Sequence, residues 1–217
     1  MDRDALAAMP EAAAQGSVPA TGVRKGSFRA LKSRPFRRFF AGQVVSASGT
    51  FLQQTAIGWL VLQLTGSAAS LGLVLAAGGL PSLLLGPWGG AIADRVDLRK
   101  LLIVTQTIFG VLAAVLWILA AERSAGVAVI VSINVLGGFV QIADSPARQA
   151  FVSRLVPSAD LASAVSLNGV VVNTARVVGP AVAGLLIVTV GTTPCFAVNA
   201  VSYVAVVIAL LTVRARS

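Results

Sequence analysis

Residues 39–93 read FFAGQVVSASGTFLQQTAIGWLVLQLTGSAASLGLVLAAGGLPSLLLGPWGGAIA. These 55 residues hold no Asp, Glu, Lys or Arg, and Arg38 and Asp94 bound them. Globular chains carry about 25% charged residues, so no water-exposed surface can be built from such a stretch. A bilayer-spanning helix needs ~20 apolar residues, and this run is long enough for two helices and a turn. Leu64-Thr65-Gly66-Ser67 supplies the turn, and Ser70 is available as an N-cap for the second helix.

The rest of the chain repeats the pattern. Charge-free runs of 21, 20 and 37 residues follow Lys100, Arg123 and Arg176. The whole chain is 56% hydrophobic and 12% charged. These figures exclude a soluble enzyme and a secreted disulfide scaffold. They predict an all-α membrane protein of six transmembrane helices, with spans at about 39–64, 70–93, 101–121, 126–143, 161–190 and 195–213. Residues 144–160 read as a polar connection carrying a short surface helix that ends at Val156-Pro157. Residues 1–27, rich in Ala, Gly, Pro and charge, read as a disordered tail ahead of a transmembrane domain over 28–217. The chain has no His and a single Cys, Cys195, so no metal, cofactor or catalytic role is expected.

Orientation follows from the basic residues. The N-terminal segment holds Arg3, Arg24, Lys25, Arg29, Lys32, Arg34, Arg37 and Arg38. Arg95, Arg99 and Lys100 lie between spans 2 and 3, Arg148 and Arg154 between spans 4 and 5, and Arg214 and Arg216 at the C-terminus. Opposite these stands Arg123 alone, 15 against 1. The positive-inside rule puts both termini on the cytoplasmic side of a cell (inner) membrane. Insertion and anionic headgroups account for the net charge of +9, and no nucleic-acid partner is needed.

Several polar groups interrupt the spans. Gln43, Ser46, Thr50, Gln53 and Gln54 fall within an arc of roughly 100° on span 1. Such a stripe faces either another helix or a cavity. Asn134, Gln141 and Asp144 form a sparser polar face on span 4, with Gly137 and Gly138 between them. Asp144 and Arg148 stand at i and i+4, a spacing that suits a surface ion pair or a gating or proton-linked pair. Arg176 lies near the middle of span 5 with Asn173 and Pro180 on its face, and no carboxylate at similar depth. It is either satisfied structurally or reserved for substrate or coupling. Gly72 with Ala76 and Gly86 with Gly90 are small-xxx-small steps on span 2, which also holds Pro81 and Pro87.

The loop Gly90-Ala91-Ile92-Ala93-Asp94-Arg95-Val96-Asp97-Leu98-Arg99-Lys100 resembles the signature of the major facilitator superfamily. Gly90, Asp94, Arg95, Arg99 and Lys100 match, and Asp97 stands where the family has a second glycine. Gly179, Pro180 and Gly184 resemble the end of the superfamily's antiporter signature. The segment from Asp144 to Ala150, followed by Leu155-Val156-Pro157, resembles the bacterial efflux branch that includes macrolide and siderophore exporters. The arginine that many drug/proton antiporters carry in span 4 is absent here, and Arg176 stands in span 5 instead.

The resemblance implies the N-terminal six-helix half of a secondary transporter exporting a small amphipathic or anionic compound by alternating access, with a proton as coupling ion. It implies a cytoplasmic latch at Gly90, Asp94, Arg95, Arg99 and Lys100. Joined to the polar positions on spans 1, 4 and 5, it leads to the expectation of a substrate cavity lined by Gln53, Gln54, Asn134, Gln141, Asn173 and Arg176, with Asp144 and Arg148 as coupling candidates. Its partners would be the lipid bilayer and a second six-helix half or another copy of the chain. The competing readings are a non-transporting membrane protein or truncated half, and the membrane domain of a nucleotide-driven pump. No P-loop supports the latter.

Overall fold

The computed structural model describes residues 29–212; the segment 1–27 read as a tail, together with Arg214 and Arg216, lies outside them. A 3-10 helix, Arg29–Lys32, precedes six α-helices: α1 (Arg34–Thr65), α2 (Ala68–Arg95), α3 (Leu98–Ala121), α4 (Val127–Leu155), α5 (Leu161–Val190) and α6 (Thr193–Thr212). The described residues contain no strand.

Local chemistry sets the helix ends. Ser33 caps α1, its hydroxyl accepting from the Phe36 N–H and donating to the Leu155 carbonyl at 2.9 Å. Gly66 ends α1 in the left-handed region at φ 62°, where its N–H reaches the Leu62 carbonyl. Ser67, rather than Ser70, caps α2, since the Ser70 N–H donates to the Ser67 hydroxyl at 3.3 Å. Asp97 caps α3, accepting from the Lys100 N–H at 2.9 Å. The residue that departs from the family signature therefore has a structural task.

Five helices are long and apolar enough to cross a membrane: α2, α3, α4, α5 with its preceding turn, and α6. α1 is 32 residues long, and although it carries no charge after Arg38, the amides and hydroxyls of its polar stripe keep it below that level of apolarity. The break foreseen after residue 143 does not occur. α4 runs through Pro146 to Leu155, so Asp144, Arg148 and Arg154 lie on the helix and not in a loop. Pro146 removes only one backbone donor. Beyond it, Ala147, Phe151 and Leu155 remain buried, and that apolar face holds the helix together.

α1 packs against α5 and α6, α2 against α4, and α3 against α4 and α6. Exchanging α1–α3 with α4–α6 maps α1 on α5 onto α4 on α2, and α1 on α6 onto α4 on α3; α3 on α6 maps onto itself. The bundle is thus two three-helix units packed alike, a repeat that the sequence does not display. An odd number of helices per unit makes the second run opposite to the first.

Close approach falls at particular glycines. A Cβ on Gly138 would lie 2.5 Å from the Gly78 carbonyl, and one on Gly89 would meet the Ile142 carbonyl, both across α2 and α4. Gly72, Gly86 and Gly90 face open space instead. The small-residue steps picked out on span 2 are not its contact line.

Two apolar clusters lie at opposite ends. One gathers Phe36, Phe39, Leu98, Leu102, Phe151, Leu155, Val206 and Leu210. The other gathers Leu52, Val61, Val74, Leu116, Ile130, Ile133 and Phe196. Between them, along α1, α3, α4 and α6, sit the buried polar residues Gln43, Ser46, Thr105, Gln106, Asp144, Asn199 and Ser202. A polar layer sandwiched between two apolar cores is the main internal feature of this bundle.

Candidate functional site

The polar layer is organised around Asp144, whose side chain has no exposed surface. Its Oδ1 accepts from the Thr105 hydroxyl at 2.6 Å and from Gln106 Nε2 at 2.8 Å, both on α3. Its Oδ2 accepts from Arg148, one turn along α4, and the same guanidinium donates to Gln43 Oε1 on α1. One carboxylate thereby joins three helices. The i, i+4 pair, whose spacing suited either a surface contact or a gating or proton-linked pair, is the buried centre of a network, and burial of a charge demands this many partners. Gln106 Oε1 is buried without a hydrogen-bond partner.

A second polar seam joins α1 to α6. Asn199 Nδ2 donates to Gln53 Oε1 at 2.8 Å, and the Thr50 hydroxyl lies 3.2 Å from the Tyr203 hydroxyl. Gly49 permits this approach, since a Cβ there would lie 2.6 Å from Asn199 Oδ1 and 2.7 Å from Ser202 Oγ. The span 1 stripe therefore serves both roles considered for it: Gln43 and Gln53 bond to neighbouring helices, while Gln54 is exposed.

Beside the polar layer opens a cavity of about 710 Å³. Of the six residues assigned to a cavity from sequence, Gln53, Gln54, Asn134 and Gln141 line it. Ser46, Thr50, Ser82, Ser145, Gln149, Asn168 and Tyr203 add polar wall, and Arg148 is its one charged side chain. The other two residues lie elsewhere. Asn173 and Arg176 are exposed on α5 outside the cavity wall, with the Arg176 guanidinium 5.7 Å from the centre of the Phe51 ring. Asn168, Val171 and Val172 form the cavity side of α5, and Asn173 stands roughly 140° round the helix from Asn168.

Sequence reasoning left Thr105, Gln106, Asn168 and Asn199 out of the site. Gln106 and Asn199 carried a usable signal, being lone amides within otherwise apolar spans, which must find partners inside the protein.

The latch residues take separate positions. Arg99 donates through Nε to the Leu210 carbonyl at 2.7 Å and through a terminal nitrogen to the Leu211 carbonyl at 2.6 Å. It thereby ties the start of α3 to the last carbonyls of α6, where a cation is favoured. Asp94 and Arg95 are exposed in the last turn of α2, and Lys100 contributes its backbone N–H to Asp97. That N–H bond, with the charges of Lys100 and Arg99, holds the Asp97 carboxyl below its ordinary value of 3.8. Within the antiporter-like motif, Gly179 packs on α1, where a Cβ would lie 2.6 Å from Phe51 Cβ. Pro180 is half-buried, and Gly184 meets nothing within 4 Å.

Comparison with known proteins agrees with this architecture. The transmembrane secretion effector family model matches residues 25–217. The staphyloferrin A transporter of Staphylococcus aureus is 31% identical over 166 residues, covering 76% of this chain and 42% of that protein. Macrolide efflux protein A of Streptococcus pyogenes is 30% identical, covering 70% of this chain and 37% of its own length. The multidrug efflux pump Tap of Mycolicibacterium fortuitum is 29% identical, covering 74% and 40%. The chain thus spans about two fifths of the length of the curated relatives it matches. A match over nearly every residue places the chain within the transmembrane secretion effector family of the major facilitator superfamily.

Proposed function

We propose that the chain is one six-span half of a secondary transporter that exports a small amphipathic or anionic compound by alternating access. The observation that carries this reading is the cavity walled by amides and hydroxyls, with Arg148 as its single cation and a buried carboxylate behind it. Uncharged donors and acceptors suit varied small molecules, and one guanidinium suits a molecule with an anionic group. The names of the relatives, a staphyloferrin A transporter, a macrolide efflux protein and a multidrug efflux pump, support transport of small molecules, and two of the three support efflux.

In this reading α1 also crosses the membrane, as span 1, beside the five more apolar helices, its polar stripe shielded by α5, α6 and the cavity. The other spans keep the bounds 39–64, 70–93, 101–121, 161–190 and 195–213, α4 (Val127–Leu155) takes the place of 126–143, and residues 1–27 form a cytoplasmic tail before the domain 28–217. The basic end of the bundle faces the cytoplasm, and the protein resides in the cell (inner) membrane. Gln53, Gln54, Asn134 and Gln141 contact substrate from this chain alone. Asn173 and Arg176, on the open face of α5, reach substrate once a second six-helix half or another copy closes over that face. Gly90, Asp94, Arg95, Arg99 and Lys100 form the cytoplasmic latch. Asp144 and Arg148 couple transport to a proton through the α1–α3–α4 network.

Everted membrane vesicles test the reading. Under a proton gradient, vesicles bearing the chain should accumulate a fluorescent amphiphilic dye above control vesicles. Gln54→Ala/Gln141→Ala should reduce that accumulation. If vesicles with and without the chain accumulate dye equally, the transport reading fails.

A further inference from the structure

A second concavity, of about 450 Å³, belongs neither to the cavity nor to the latch. Lys32 walls it from the end of the 3-10 helix, Arg34 from the start of α1, and Arg154 from the last turn of α4. The one acid on its wall, Asp160, is already paired with Arg29 at 3.1 Å. Among the described residues no ion pair engages Lys32, Arg34 or Arg154. Three cations from three helix ends therefore converge on one hollow with their charge uncompensated.

The hollow is also held in shape. The Ser33 hydroxyl bridges the start of α1 to the Leu155 carbonyl of α4. Phe36 and Phe39 anchor the first turns of α1 in the apolar cluster beneath. The helix terminus itself offers little to a ligand, because Pro35 has no N–H and Ser33 already takes that of Phe36. Recognition falls to the three side chains, a set of donors suited to a phosphate. The position matters as much as the charge: the charge-free run of α1 begins at Phe39, so the hollow lies at the edge of the apolar layer.

We infer that this hollow binds the phosphate of an anionic phospholipid headgroup and fastens the α1–α4 corner to the membrane surface. The inference rests on the orientation proposed above, which turns this end toward the cytoplasmic leaflet, where anionic lipid is concentrated. A soluble phosphate compound shares the chemistry, but the position at the apolar boundary favours the lipid.

The test uses the full 217-residue chain in mixed micelles of phosphatidylglycerol and phosphatidylcholine, with native mass spectrometry of the retained lipid. Wild type should retain phosphatidylglycerol selectively. Lys32→Gln/Arg154→Gln should bind it about thirtyfold more weakly, from roughly fivefold per base near a headgroup. Arg37→Gln/Arg38→Gln removes the same charge one turn along α1 and should leave retention near the wild-type level. Equal losses in the two doubles, or no loss in the first, would overturn the site. Lys32→Arg/Arg154→Lys keeps the charge and should retain the lipid, so a loss there would also count against it. Displacement of the lipid by inorganic phosphate would overturn the lipid assignment in favour of a soluble ligand. Labelling of Ser158→Cys from outside the cell would overturn the orientation alone, since retention in micelles does not depend on it.

Discussion

Arg148 bonds with one arm to the carboxylate of Asp144 and with the other to Gln43 of α1. The acid is wholly buried, whereas the base is 25% exposed and forms part of the cavity wall. A charge change on either side of this pair reaches the other through one contact. The cavity and the α1–α3–α4 packing are therefore linked by these two residues.

Removing one member should be worse than removing both. Asp144→Leu strands a guanidinium, and Arg148→Met strands a carboxylate. Breaking a buried pair by one partner costs about 3–5 kcal/mol, while an apolar pair of similar volume can be near neutral. The lower end is expected for Asp144→Leu, because Arg148 can turn toward the cavity. Urea or thermal unfolding in detergent of both singles and the double measures the coupling. Additive losses would show that the two residues act independently.

The glycine positions give a sharper contrast, since neighbours should behave oppositely. Gly89→Ala drives a methyl into the Ile142 carbonyl, and Gly179→Ala drives one to within 2.6 Å of Phe51 Cβ. Each should destabilise by about 1–3 kcal/mol through forced separation of helices. Gly90→Ala and Gly184→Ala meet open space and should be neutral or stabilising by up to about 1 kcal/mol from helix propensity. Melting temperatures of the four variants decide this. Equal sensitivity at Gly89 and Gly90 would mean that α2 is rotated from the orientation described.

That contrast also shows what the sequence could and could not convey. Most helix ends were legible because Gly66 and the charge clusters mark them chemically. Which of Gly89 and Gly90 touches α4 was not, because neighbours differ by about 100° in direction and a small residue carries no mark of its face. The end of span 4 was misplaced for a related reason: Asp144, Pro146 and Arg148 look like a membrane boundary when read in line. Only the partners supplied by α1 and α3 allow a charged pair to continue inside the bundle. Four cavity amides were legible from helical periodicity. Asn173 and Arg176 were grouped with them because depth along a span says nothing of the side it faces.

The α3 cap has a pH signature. The Asp97 carboxyl titrates below its ordinary value because its ionised form accepts the Lys100 N–H and lies near basic side chains. A lowered folded-state value means stabilisation that is fully present above pH 3.8 and lost as pH falls through the folded value. Asp97→Ala should cost about 1 kcal/mol at neutral pH, as for other N-caps. The gap between variant and wild type should narrow as the pH drops below that of a free aspartate. Unfolding curves at neutral and strongly acidic pH measure it. A gap that widens on acidification would contradict the cap's charge dependence.

Gln54 and Arg176 separate what this chain binds from what it binds only when partnered. Gln54 is on the cavity wall, so Gln54→Ala should weaken binding of a transported dye by the purified chain about fivefold, the worth of one net hydrogen bond. Arg176 stands outside that wall over Phe51. Arg176→Gln should leave the chain's own dye affinity within about twofold and its stability within about 1 kcal/mol, the scale of an exposed cation–π contact. In vesicles, where the proposed second half or second copy covers α5, Arg176→Gln should reduce transport. Dye titration by fluorescence anisotropy, set beside vesicle accumulation, supplies both readings. If Arg176→Gln instead weakens binding by the purified chain as strongly as Gln54→Ala, α5 already presents that face to substrate without a partner.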